Sequence, residues 1–145
     1  MPEGGMRVQE RMKTDLTTVT PLDSVRTAWA LLRAHKIRHL PVVEQHRLVG
    51  LVTDRDIRLV FPSAVVGQQE QDAHEALEKV LVREIMSQPV LTVSPTDTIA
   101  DAARLLLEKR VTGLPVVEGE RLVGIITVID VLEAFVEVME GKVSG

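Results

Sequence analysis

The sequence predicts a mixed α/β fold in which one strand-helix-strand-strand-helix unit is used twice. Two observations predict it. Sliding the 145-residue chain on itself by 74 positions pairs Val8 with Val82, Met12 with Met86, Pro21 with Pro95, Pro41 with Pro115, Gly50 with Gly124, Thr53 with Thr127 and Asp56 with Asp130. No gap is needed, and 21 of the 49 positions from Val8 to Asp56 are identical to their partners. Within each copy the apolar pattern passes from short β-branched runs to three- and four-residue helical spacing and back. Self-similarity that keeps register through prolines, glycines and acids means a supersecondary unit repeated.

Each element follows from local signals. LTTV (16–19) and VLTV (90–93) read as the first strand of each copy. Thr20-Pro21-Leu22-Asp23 and Ser94-Pro95-Thr96-Asp97 offer a hydroxyl N-cap, a proline at the first helical position and an acid three residues on, so a helix is expected to start there. Its buried stripe is Val25, Ala28, Trp29 and Leu32 in copy one, and Ile99, Ala102, Ala103 and Leu106 in copy two. LPVV (40–43 and 114–117), a four-residue connection and LVGLVT or LVGIIT then predict a hairpin. The glycine in its second strand marks a bulge or a close approach of another group. A second helix is expected from Thr53 and Thr127, running in copy two through Leu132, Phe135, Val138 and Met139 to a stop at Gly141. A three-stranded sheet with two helices on one face leaves its other face apolar, so the copies are expected to pack sheet to sheet about a pseudo-two-fold axis.

These signals divide the chain into repeat 1 with an N-terminal tail (1–61), a linker (62–81), repeat 2 (82–140) and a C-terminal tail (141–145). The linker reads as a polar loop, Pro62 to Gln71, followed by a connecting helix over 72–86 with Asp72 as its cap.

Composition narrows the function. Hydrophobic residues at 45% and charged residues at 26% predict a folded globular chain, and a net charge of −4 opposes non-specific nucleic-acid binding. The absence of cysteine excludes disulfides, Fe–S clusters and thiol nucleophiles. MPEGGMRVQERM has no apolar h-region, and runs such as LVGIITVI are too short to span a bilayer, so a cytoplasmic protein without a membrane partner is expected. No nucleophile with an adjacent base and no Walker-type loop is present, so no enzyme activity is expected. His35 and His39 have metal-pair spacing but straddle a helix end and a strand start, so no metal site is expected.

The pattern M-x(5)-T-V-x-P-x-D, then LPVV, then L-V-G-h-h-T-x-x-D-h (h apolar), twice in tandem, resembles the CBS domain pair, or Bateman module. The resemblance covers roughly Val8 to Phe135. KIRHLPVV, TDRDI and FPSA are similar to the acetoin-utilisation CBS proteins of bacteria. The resemblance implies a cleft between the repeats with up to two sites for adenine-containing ligands: AMP, ADP and ATP ahead of S-adenosylmethionine and NAD, none of them an obligatory cofactor. It implies that Asp56 and Asp130 accept from ribose hydroxyls, a role suited to an acceptor-only carboxylate. Thr53 and Thr127, each opening a helix, have a hydroxyl and nearby N–H groups to offer phosphate. The same Thr-x-x-Asp is also a helix cap, worth about 1 kcal/mol with or without ligand.

Arg38 and His39 stand where basic residues meet phosphate in AMP-sensing members of the family, and copy two has Thr112 and Gly113 there. The alternative for this pair is a solvated strand edge. Val128 and Ile129 replace Asp54 and Arg55 in copy two, either lining an adenine pocket or packing. Adenine is expected against backbone groups around Leu16 and Val90, because aromatic residues are only 2%. The resulting expectation is a regulatory nucleotide-binding module, homodimeric, signalling to an enzyme or transporter. The alternative is a structural interaction module with an unliganded cleft.

Overall fold

The computed structural model describes residues 5–61 and 70–142. The chain divides into two compact units: unit I, Thr17–Val90, and unit II, Met1–Leu16 together with Leu91–Gly145.

In unit I, helix α1 (Val25–His35) is followed by strands β1 (His39–Glu44) and β2 (Arg47–Thr53), then helix α2 (Asp54–Val60). After the undescribed residues 62–69, where much of the expected loop and most of the FPSA stretch fall, come α3 (Glu70–Glu78) and the short α4 (Val82–Ile85). In unit II a 3-10 turn (Val8–Glu10) joins α5 (Ile99–Lys109), β3 (Gly113–Glu118), β4 (Arg121–Thr127) and α6 (Val128–Met139). Both hairpins are antiparallel and share one register: Pro41 faces Leu51 and Val42 faces Gly50, while Pro115 faces Ile125 and Val116 faces Gly124. Each carries an irregularity at the same place, after Val42 and after Val116.

The stripe of α1 is buried as the spacing predicts, with Val25, Ala28, Trp29 and Leu32 each at most 6% exposed. They pack with Leu40, Val42, Val52 and Ile57. In unit II the smaller stripe buries Ala102 and Leu106 against Leu114, Val116 and Ile126.

Three expectations need correction. The first strand of each copy shrinks to one parallel bridge, Val19 to Val42 and Val93 to Val116. The chain turns immediately afterwards, the Asp23 N–H donating to the Thr20 carbonyl and Asp97 to Ser94. The first helices start four residues later than predicted, because the Asp23 and Asp97 carboxylates accept from the Thr20 and Ser94 N–H groups and so close a turn. The actual caps are Ser24, accepting from the Thr27 N–H, and Thr98, accepting from the Asp101 N–H.

The connecting helix is broken between α3 and α4. There the Leu81 N–H turns to the Glu84 carboxylate and the Val82 N–H to the Asp23 carbonyl, and Asp72 lies within α3 rather than capping it. Helix α6 runs through Leu132, Phe135 and Val138 to Met139, and its large residues stay outside: Leu132, Phe135 and Met139 are 52%, 56% and 67% exposed, while Asp130 and Ala134 face inward.

The leading segment of each repeat completes the unit built from the other. Val8 and Val82 donate to the carbonyls of Asp97 and Asp23, and Lys13 and Ser87 to those of Ile125 and Leu51. Val8, fully buried, belongs to the core of Val93–Ile126, and Val82 to that of Val19–Ile57. This explains the strand glycines. A Cβ on Gly50 would lie 2.5 Å from Met86 Sδ, and one on Gly124 would lie 2.6 Å from Met12 Sδ. The close approach inferred from the sequence is a methionine laid across the strand.

Candidate functional site

The mouth of each hairpin gathers the predicted ligand residues of its own unit. In unit I, His39 and Thr53 are cross-strand partners, and the first N–H of α2, on Asp54, donates to the Arg38 carbonyl at 3.2 Å. Arg38, His39, Thr53 and Asp56 therefore come together. Unit II repeats the arrangement: Gly113 faces Thr127, and Val128 N–H donates to the Thr112 carbonyl at 3.0 Å.

Thr53 and Thr127 are both N-caps, and both form the reciprocal box. Asp56 N–H donates to Thr53 Oγ1 at 3.1 Å, while Thr53 N–H donates to Asp56 Oδ2 at 2.9 Å. In unit II, Thr127 N–H and Oγ1 donate to Asp130 Oδ2 at 2.8 and 3.1 Å. The capping role is thus present in both copies, whatever else the acids do, and it fixes each carboxylate at the start of its helix.

The two acids differ in their surroundings. Asp56 is half-buried, and no ion pair to it forms among the described residues. Asp130 is 2% exposed, and its Oδ1 accepts from Lys13 Nζ at 2.5 Å. That contact holds the Lys13 ammonium above the ordinary lysine value, chiefly through the hydrogen bond to Asp130, against the opposing effect of burial. Sequence reasoning missed Lys13. The only trace was a break in the repeat, since its counterpart is Ser87.

Arg38 is exposed and His39 is buried. Burial pushes the His39 imidazole below its ordinary value, with Asp54 and Asp56 opposing and Arg38 reinforcing the shift. At neutral pH the permanent positive charge at this mouth therefore rests on Arg38. Val128 packs against the core of unit II, whereas Ile129 is 61% exposed. Leu16 and Val90 are half-buried and close their segments at the ends of units II and I. Among the described residues no group of three or more His, Cys, Asp or Glu is placed to hold a metal ion, and no helix is long and apolar enough to cross a membrane. A groove of about 470 Å³ runs along the outer face of α6, between Ile129, Leu132 and Val136 and the acids Glu133, Glu137 and Glu140. None of the predicted ligand residues lines it.

Comparison with known proteins gives a consistent result. The model of the CBS domain matches residues 8–63 and 82–137. A CBS domain-containing protein of Dictyostelium discoideum is 33% identical over 92% of this chain and 93% of its own length. Among solved structures, CBSX2 in complex with AMP is similar at a TM-score of 0.78 and 32% identity, covering 93% of this chain and 99% of that one; the same protein, from Arabidopsis thaliana, gives 0.79. A protein described as a putative acetoin utilization protein from Vibrio cholerae gives 0.76 at 26% identity, over 94% of both chains.

Proposed function

The chain belongs to the CBS domain family, and from that premise we propose that it is a regulatory module that binds an adenine nucleotide, AMP first, and passes the binding event to a partner enzyme or transporter in the cytoplasm. The observation that carries this reading is the mouth of unit I, where a half-buried carboxylate, Asp56, is fixed at a helix start beside the exposed guanidinium of Arg38. The AMP complex of CBSX2, matched over nearly the whole of both chains, supports AMP as the ligand.

In this reading Asp56 accepts from the two ribose hydroxyls. The Thr53 hydroxyl faces the phosphate with Arg38, and backbone around Val90 meets the base. The role is binding and signalling rather than catalysis. We also propose that the module works as a homodimer, since α6 carries an exposed apolar face.

Thermal unfolding and calorimetry of the full chain with AMP, ADP, ATP, S-adenosylmethionine and NAD test the reading. AMP at 100 times its dissociation constant should add about 2.7 kcal/mol of stability. Asp56→Asn should weaken binding about 10- to 100-fold, the equivalent of losing a charged acceptor worth roughly 1.5–3 kcal/mol. If no adenine compound stabilises the chain, the interaction-module reading replaces this one.

A further inference from the structure

We propose that Lys13 is a built-in occupant of the unit II carboxylate, so that the chain takes its nucleotide through Asp56 alone and holds the second copy of the site closed. The inference rests on the nucleotide-binding reading and adds to it a stoichiometry and the residue that sets it.

The repeat makes the comparison internal. Lys13 and Ser87 occupy the same place in the two copies, and each backbone is bridged to the middle of the strand beside it: Lys13 to Ile125, through N–H and carbonyl at 2.9 and 3.0 Å, and Ser87 to Leu51 at 2.9 Å. The backbone therefore delivers a side chain to the same spot twice. In unit I that side chain is a short hydroxyl and the acid beyond it stays half-buried. In unit II it is an ammonium that pairs with Asp130.

Every oxygen of Asp130 is then engaged. Oδ2 takes both the N–H and the hydroxyl of Thr127, Oδ1 takes Lys13, and only 2% of the residue remains exposed. A ribose diol needs carboxylate lone pairs that it can reach, and Asp56, half-buried with Oδ2 taken by the Thr53 N–H, keeps Oδ1 open. At Asp130 the Lys13 ammonium occupies Oδ1, and because its backbone is already bridged to Ile125 only its side chain has to be ordered.

A second break in the repeat points the same way. Arg11, which has Ile85 as its counterpart, clamps Glu137 of α6 with two bonds of 2.5 and 2.9 Å. Two of the three residues from Arg11 to Lys13 thus tie the N-terminal segment to α6 by ion pairs, and the equivalent residues of unit I, Ile85 and Ser87, have no charge with which to do so. Of these groups only Asp130 is buried, at 2% exposed against 60% for the Lys13 side chain, so drawing Lys13 away leaves an uncompensated charge on the buried partner.

The test is the number of AMP molecules bound per full-length chain, by calorimetry, with circular dichroism as the control for folding. Wild type should bind one, and Asp56→Asn should lose most of that binding at AMP concentrations that only just saturate wild type, its affinity being about 10- to 100-fold weaker. Lys13→Ser, which copies unit I into unit II, should bind two, and adding Asp130→Asn should return the count to one. Lys13→Gln, which keeps a donor for Asp130 without the charge, serves if the serine variant does not fold. Two AMP per wild-type chain overturns the proposal, as does a folded Lys13 variant whose count is unchanged or reduced.

The failures are distinguishable. One AMP lost with Asp56→Asn but never rising above one removes the lock and leaves the nucleotide reading intact, whereas no binding by any form removes both. Amine labelling of the wild type, read by mass spectrometry, needs no variant. Lys13 should label equally with and without saturating AMP, and a change in its labelling on AMP addition overturns the lock.

Discussion

His39 sits at the start of β1 with its ring buried, next to Asp54, Asp56 and the charge of Arg38. Burial disfavours its charged form, so its folded value lies below the ordinary value of about 6.5. Between those two values the unfolded chain binds more protons than the folded one, and stability therefore falls as the pH falls through that window. Acidification from pH 7 toward 5 should lower the melting temperature of wild type more than that of His39→Gln, by at most about 1.4 kcal/mol for each unit by which the value is depressed. Parallel pH curves for the two proteins would show that this histidine is not the cause.

The residue scale also shows what the letters could and could not reveal. Thr53, Asp56, Thr127 and Asp130 were legible because a cap and a ligand carboxylate use the same short pattern, and the structure puts all four at helix starts. Lys13 was not legible, because its partner lies 117 residues away and only the break in the repeat marked it. His39 was legible as a position but not as a state, since its charge depends on packing that no spacing encodes.

At the scale of elements, the hairpins were the most readable part, because both strands, the glycine and the flanking threonine recur in each copy. Helix starts were misread for a definite reason. Two cap-like quartets follow one another, Thr20 to Asp23 then Ser24 to Thr27, and Ser94 to Asp97 then Thr98 to Asp101. The first member of each closes a turn and only the second opens a helix. The first strands are shorter than their β-branched letters suggest, because the Thr-Pro or Ser-Pro turn ends pairing after one residue. In α6 the apolar spacing marks the helix but does not say which side faces inward. The small Ala134 and the locked Asp130 allow close approach, and the bulky residues remain outside.

The methionine-over-glycine contact belongs to this scale too, and it makes a graded prediction. Gly124→Ala should cost about 1–3 kcal/mol as overpacking. Removing the Met12 thioether with Met12→Ala should relieve only part of that cost, because the Lys13 carbonyl also stands 3.1 Å from the new methyl. Gly50→Ala meets only the Met86 side chain among its nearest atoms, so Met86→Ala should relieve more. Double-mutant cycles by urea unfolding measure both couplings, and equal relief at the two sites would contradict the difference in geometry.

For the whole molecule, the exposed face of α6 is the surface on which the proposed homodimer is tested. Ile129, Leu132, Val136 and Met139 follow one another at helical spacing and are 49–67% exposed. An apolar stripe of that kind is typical of a surface that is covered by association. Glu133 flanks it in the middle of the helix and Glu137 and Glu140 at its C-terminal end, where Lys142 pairs with Glu140 at 2.9 Å. The same stripe of a second copy would cover it. Sedimentation should find a dimer for wild type and a monomer for Leu132→Glu with an unchanged dichroism spectrum. A monomeric wild type, or a variant that still dimerises, removes α6 as the contact.

Because the segment from Val8 to Leu16 is housed in the unit built from Leu91 onward, a ribosome releases Val8, Met12 and Lys13 long before the strand they lie against exists. Unit I can close as soon as Val90 has emerged, while the opening segment must wait, unsatisfied, for β4 and α6. Loop closure over so long an interval makes unit II the later and slower of the two to form. Shortening the chain at its front would therefore damage its back, and the acid that Lys13 covers would be uncovered in the same cut.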